Sequence, residues 1–149
     1  MFVRKTVIAF IALAAFLGGV IVFLVQNQND SSTEIDWRLL GDMDYVTGIA
    51  TGELKTFDGQ RVKIPGFMVP LEDNARKVTE FLLVPNPQAC IHVPAPPPNQ
   101  MVHVRVEGSG VATAFGPIWV HGQFRIVTTK SMYGESAFEM VTDRVEPYP

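Results

Sequence analysis

The apolar and polar positions of this chain follow different rules on either side of residue 26. Residues 7–25 form an apolar run without a single charge. At about 1.5 Å of rise per residue, a helix of that length crosses a hydrocarbon core of about 30 Å. Residues 26–32 are polar, lack aromatic and β-branched side chains, and read as a solvated linker. Thr33 then opens a short helical pattern: Asp36 completes an approximate capping box, Ile35, Leu39 and Leu40 share one side, and Gly41 supplies a left-handed stop. Trp37 is expected to pack on the domain rather than return to a lipid surface, because about ten residues separate it from the apolar run.

From residue 45 the period shifts to two. Val62 and Ile64 alternate with Arg61 and Lys63 directly after Asp58-Gly59, a pair that readily adopts positive φ, which predicts a hairpin whose first strand lies in 45–57. Val102, Val104 and Val106 alternate with His103, Arg105 and Glu107 up to Gly108-Ser109-Gly110. Ile118, Val120, Phe124 and Ile126 alternate with Trp119, His121, Gln123 and Arg125, and a last strand is expected over 138–145. Pro65-Gly66 reads as a bend ending one strand and Pro70 as the stop of the next, with Phe67, Met68 and Val69 packing a core between them. Residues 73–79 offer the second helical patch. Five or six strands, with Gly48, Gly52, Gly66 and Gly122 where a strand must bend, predict a mainly β protein. The architecture expected is a small OB-like β-barrel, alternatively a small β-sandwich, preceded by one transmembrane helix. The domain plan is 1–25 as cytoplasmic tip and signal anchor, 26–32 as linker and 33–149 as the exported barrel domain.

Charge sets the direction of the anchor. Arg4 and Lys5 precede the apolar run while Asp30, Glu34 and Asp36 follow it, so the positive-inside rule keeps the amino terminus in the cytoplasm and exports the domain. In a Gram-negative bacterium that compartment is the periplasm. A cleaved signal peptide is the competing reading. Its apolar core is normally about 7 to 15 residues with a small-x-small site just beyond, whereas Gln26-Asn27-Gln28 follow Val25 and Ala12-Leu13-Ala14 comes too early. All 15 acidic residues lie beyond the anchor, against 12 basic residues that include Arg4 and Lys5. An acidic exported part offers no electrostatic footprint for nucleic acid.

Of the 11 prolines, Pro85, Pro87, Pro94, Pro96, Pro97 and Pro98 fall within one short stretch. Proline cannot donate to a sheet ladder, so this stretch is expected to be a rigid edge or loop, with residues 96–98 in polyproline II conformation. In an extended piece over 90–93, Cys90 and His92 point to one side. Thiolate plus imidazole suits Zn(II) or copper ions, and His103, His121, Met68, Glu72 and Asp73 are candidate further donors. Two other readings compete. Cys90 can be a small buried hydrophobe with His92 bonded to a backbone carbonyl, or a nucleophile activated by His92. The second is awkward, since Cα atoms at i and i+2 stand about 6.5 to 7 Å apart; no oxyanion hole is evident and no catalytic residue is assigned. An exported compartment favours disulfides, yet the single cysteine has no partner in the chain. Pro94, Pro96, Pro97, Pro98, Asn99 and Gln100 form a candidate partner-binding loop. Exposed prolines dock in aromatic grooves, while Asn99 and Gln100 can bond carbonyls that prolines leave free.

Three motifs carry a resemblance: Ile64-Pro65-Gly66-Phe67-Met68-Val69-Pro70-Leu71, Glu80-Phe81-Leu82-Leu83-Val84-Pro85, and Cys90-Ile91-His92-Val93-Pro94 with Pro97-Pro98-Asn99-Gln100. Over about residues 37–148 the chain closely resembles an uncharacterised bacterial envelope family, domain of unknown function 3299. It departs from that family's pattern at Phe67, at Asn86-Pro87-Gln88 and at Ala95. The resemblance implies a small exported protein, anchored by a lipid or a membrane segment, that accompanies an envelope transport system with a link to transition-metal supply. The leading expectation is therefore a membrane-anchored periplasmic accessory that binds or senses Zn(II) through Cys90 and His92, with His103 and His121 as further ligands. Its partners would be an inner-membrane transport or envelope protein and, through residues 7–25, the bilayer. A non-metal adaptor using the proline loop is the alternative, and a Cys90-dependent hydrolase the third reading.

Overall fold

A computed structural model describes residues 32–73, 76–87 and 95–149 of the chain. The apolar run at 7–25 lies outside the described residues, as do Cys90, His92 and Pro94. Among the described residues no helix is long and apolar enough to cross a membrane.

The protein is mainly β. In chain order its elements are β1 (Thr33–Glu34), α1 (Trp37–Gly41), α2 (Gly52–Lys55), β2 (Arg61–Pro70), β3 (Lys77–Val78) and β4 (Glu80–Val84). A 3-10 turn (Pro98–Gln100) follows, then β5 (Val102–Val106), β6 (Val111–Ala112), β7 (Pro117–Ser131) and β8 (Gly134–Pro147). Strands β2, β4, β5, β8 and β7 hydrogen-bond in that order, and β7 pairs back onto β2, closing a ring. All contacts around the ring are antiparallel except β5 with β8. β1 lies parallel to β2, and β3 pairs with β6 as a separate ribbon.

Closure depends on β2 serving two partners. Residues 61–67 pair with β7 and residues 67–70 with β4. The handover falls at Phe67, and at Gly66 just before it a Cβ would stand 2.7 Å from the Val84 carbonyl oxygen, so only glycine lets the backbones approach. Gly122 performs the same task on β7, beside a register shift, where a Cβ would collide with the Val141 carbonyl. Inside the ring, Phe81, Phe124, Phe138, Ile64, Val120 and Met140 are fully buried, and the Phe124 and Phe138 rings stack at 5.3 Å. Trp37 packs against this core and donates its indole N–H to the Pro65 carbonyl at 2.6 Å, as expected of a residue packed on the domain.

Several local expectations need correction. Thr33 does not cap a helix: β2 draws Thr33 and Glu34 into a strand, and Asp36 caps α1 by accepting from the Leu39 N–H. Gly41 supplies no left-handed stop, because the chain passes through Asp42 in the right-handed helical region. Residues 45–57 hold no strand. The Asp44 carboxylate accepts from the Val46 and Thr47 N–H groups to form a turn, and Thr51 then caps α2, which buries Leu54. Gly59 does take positive φ, 78°, but it joins α2 to β2 rather than two strands. Gly48 sits in the Asp44 turn and Gly52 opens α2, so among the four glycines only Gly66 and Gly122 lie inside strands. β2 also runs through Pro65-Gly66 without ending. Within 73–79, the described residues hold β3 in place of a helix, paired to residues 111–112.

Candidate functional site

The two sequence-predicted histidines that can be described are both buried, His103 at 6% and His121 at 4% exposure. Their surroundings differ in kind. On β5, Val102 and Val104 point into the core and are fully buried, which sends His103 and Arg105 to the outer side. Such a position is usually wet. Here the outer side carries its own apolar cluster, Val69, Leu82, Val84 and Met101, packed by Phe67, Leu71 and Tyr133. Leu82 on β4 and Glu139 on β8 are the cross-strand neighbours of His103.

The imidazole of His103 is poorly satisfied. Its Nε2 stands 4.0 Å from the Glu80 carboxylate, beyond hydrogen-bond range, and its Nδ1 has no partner. A buried polar atom left without a bond costs about 1–3 kcal/mol. Charge is nevertheless close: Glu139, with a side chain only 12% exposed, is held by Arg105 at 2.5 Å. Glu80, Glu139, Arg105 and Met101 are members of this neighbourhood that sequence reasoning did not select. The one signal for Met101 was its place two residues before His103 in the same alternation.

His121 is a clamp. Its Nε2 lies 3.0 Å from Glu146 Oε1 and its Nδ1 3.4 Å from Ser32 Oγ, so both ring nitrogens are engaged. Arg144 holds the other Glu146 oxygen at 2.6 Å. That guanidinium first, and then His121, keeps the Glu146 carboxyl below the ordinary carboxylate range despite the opposing effect of burial. Arg61, at 2.6 Å, does the same for Asp143. A histidine with two engaged nitrogens has no free lone pair to offer a metal.

The remaining candidates are dispersed. Met68 belongs to the core. The Glu72 carboxylate accepts from the Thr79 hydroxyl and from the backbone N–H groups of Thr79 and Glu80, bonds that hold its pKa low and fasten the turn before β4. Among the described residues no three histidine, cysteine, aspartate or glutamate side chains are grouped to hold a metal ion. In the proline loop, Asn99 is buried and its Nδ2 donates to the carbonyls of Gly41 and Met43 at 3.1 and 3.0 Å. Gln100 donates to the Trp37 carbonyl at 3.3 Å. Apart from the Asn99 carbonyl, which Gln100 Nε2 also reaches at 3.2 Å, the carbonyls they bond belong to α1 and Met43 rather than to prolines. Pro97 remains exposed.

The family model described as "Protein of unknown function (DUF3299)" matches residues 41–147. The crystal structure of a DUF3299 family protein from Pseudomonas aeruginosa PAO1 superimposes with a TM-score of 0.65 at 32% sequence identity, covering 80% of this chain and 97% of that one. No curated protein matches the sequence. The chain belongs to the DUF3299 family, which is uncharacterised.

Proposed function

We propose that this DUF3299 protein is a membrane-anchored accessory of an envelope transport system that binds Zn(II) through Cys90 and His92, with His103 as a third donor. The observation that carries the reading is the buried His103 ring, whose Nδ1 has no partner. With its proton on Nε2, toward Glu80, a neutral imidazole presents the Nδ1 lone pair. A carboxylate behind the far nitrogen is the usual companion of a metal-binding histidine. His121 drops out of the donor set because Glu146 and Ser32 occupy it. The anchoring rests on the charge-free run at 7–25, with the amino terminus cytoplasmic and the domain periplasmic. The closed strand ring is read as a small OB-like barrel.

The test is calorimetric titration of the full-length chain with Zn(II), in detergent under reducing conditions. One ion per chain is expected. Affinity should fall at least about tenfold both in the Cys90→Ser, His92→Ala variant and in His103→Leu, and hold in His121→Leu. Unchanged affinity in the first two variants overturns the reading. The exposure of Pro97 beside the firmly anchored Asn99 and Gln100 favours a second reading, an adaptor offering residues 96–98 to an aromatic groove. Photo-cross-linking from position 97 that captures an inner-membrane transport protein supports it; absence of any cross-link counts against it.

A further inference from the structure

Met101 stands directly before β5 with an extended backbone, φ −136° and ψ 134°. Its side chain therefore leaves the strand on the same outer side as His103, with Cα atoms about 6.5 to 7 Å apart. Both residues are nearly sealed from solvent, at 2% and 6% exposure. Met101 and Leu82 belong to one apolar cluster, and Leu82 is the cross-strand neighbour of His103. A thioether and an imidazole with an open Nδ1 thus share one side of the sheet beside one apolar patch. Methionine as filler of an irregular gap accounts for Met101 alone. It does not account for an unbonded ring nitrogen beside it.

We propose that this outer side of β5 takes Cu(I) as a second cargo, with Met101 Sδ and His103 Nδ1 as its donors. Thioether and imidazole are donors suited to soft Cu(I), whereas Zn(II) takes thiolate, imidazole or carboxylate in four-coordinate sites. Cu(I) is a d¹⁰ ion that accepts as few as two ligands. Charge points the same way, since Born desolvation scales with the square of the charge and a monovalent ion enters an apolar patch at about a quarter of the penalty of a divalent one. Glu80 places a carboxylate 4.0 Å from the ring, whereas Glu139 is already paired with Arg105. Coordination uses the existing Nδ1 lone pair, so no proton leaves, no covalent bond breaks and copper keeps its oxidation state. The inference shares His103 with the Zn(II) reading, but Met101 belongs to it alone.

The test uses the full-length chain under anaerobic reducing conditions, with Cu(I) supplied as its bicinchoninate complex and transfer followed by loss of the complex's colour. In the Cys90→Ser background, which removes the thiolate that itself suits copper, we expect one Cu(I) per chain, weakened at least tenfold by adding either Met101→Leu or His103→Leu. Zn(II) affinity should stay within twofold in Met101→Leu. Leucine nearly conserves the volume of methionine. Should that variant misfold, selenomethionine-substituted protein with the native fold provides the same answer: copper-edge X-ray absorption should show a selenium neighbour. No Cu(I) transfer, Cu(I) binding that survives Met101→Leu in that background, or binding that vanishes in Cys90→Ser overturns the proposal. Cu(I) binding without Zn(II) binding sinks the Zn(II) reading and leaves this one standing; the reverse result does the opposite.

Discussion

His103 and His121 occupy equivalent-looking places in the sequence, each in the polar phase of a valine-bearing strand, and both end buried in the same ring. His121 is covered by groups that speak to it: a carboxylate on one nitrogen, a hydroxyl on the other, and an arginine steadying the carboxylate. His103 shares its side of the sheet with the cluster of Val69, Leu82, Val84 and Met101, and its Nδ1 receives no partner. Burial alone therefore does not separate a structural histidine from a candidate ligand. The number of engaged ring nitrogens does.

The largest expected effect tests the rigid side of this contrast. Gly122, next to His121, has a backbone carbonyl where a Cβ would go, so Gly122→Ala should destabilise the fold by about 3 kcal/mol in urea unfolding. A loss below about 1 kcal/mol would mean that the ring gives way more easily than its packing indicates. Next, the two histidines should respond oppositely to the same change. His121→Leu removes bonds to Glu146 and Ser32 and should cost about 2 kcal/mol, whereas His103→Leu removes an unsatisfied group and should be neutral or stabilise by up to about 1 kcal/mol. Equal losses in chemical denaturation would erase the distinction. Asn99 is intermediate, with both amide hydrogens bonded and Oδ1 free; Asn99→Ala should cost about 1–2 kcal/mol, read as a lower thermal midpoint.

The smallest effect concerns acid. Glu146 and Asp143 titrate below their ordinary values of 4.5 and 3.8 because Arg144, with His121, and Arg61 favour their charged forms. A carboxylate whose folded pKa is depressed contributes stability that is present above its unfolded pKa and disappears as pH falls through the folded value. Urea midpoints should therefore drop below about pH 4.5, and Glu146→Gln should make that drop shallower. An unchanged acid limb would show that this network adds nothing to the clamp.

Strand alternation and turns were legible where local chemistry decides. Val102, Val104 and Val106 before Gly108 and Gly110 became β5 and its turn, and the alternation over 118–126 lies inside the longer β7. Residues 45–57 misled because Asp44 and Thr51 side chains captured the backbone N–H groups that a strand would have used. Thr33 misled because its partner strand lies far along the chain. The outer apolar cluster was hidden for a related reason: it is assembled from Phe67, Val69, Leu71, Leu82 and Val84 with Met101 and Tyr133, so nothing local to His103 announces that its polar phase faces hydrocarbon. Cys90 and His92 form a legible pair that lies outside the described residues.

Ring closure also sets an order of events. β2 meets β7 across more than fifty residues, and β8 is the strand that joins β5 to β7. Until residues 134–147 have been synthesised and delivered, β5 and β7 each keep an unpaired edge on the side that β8 will occupy. Such edges invite pairing with other chains, and long-range closure is slow. The nascent chain thus carries its greatest aggregation hazard just before β8 emerges, and a truncation that removes β8 would leave that hazard permanent.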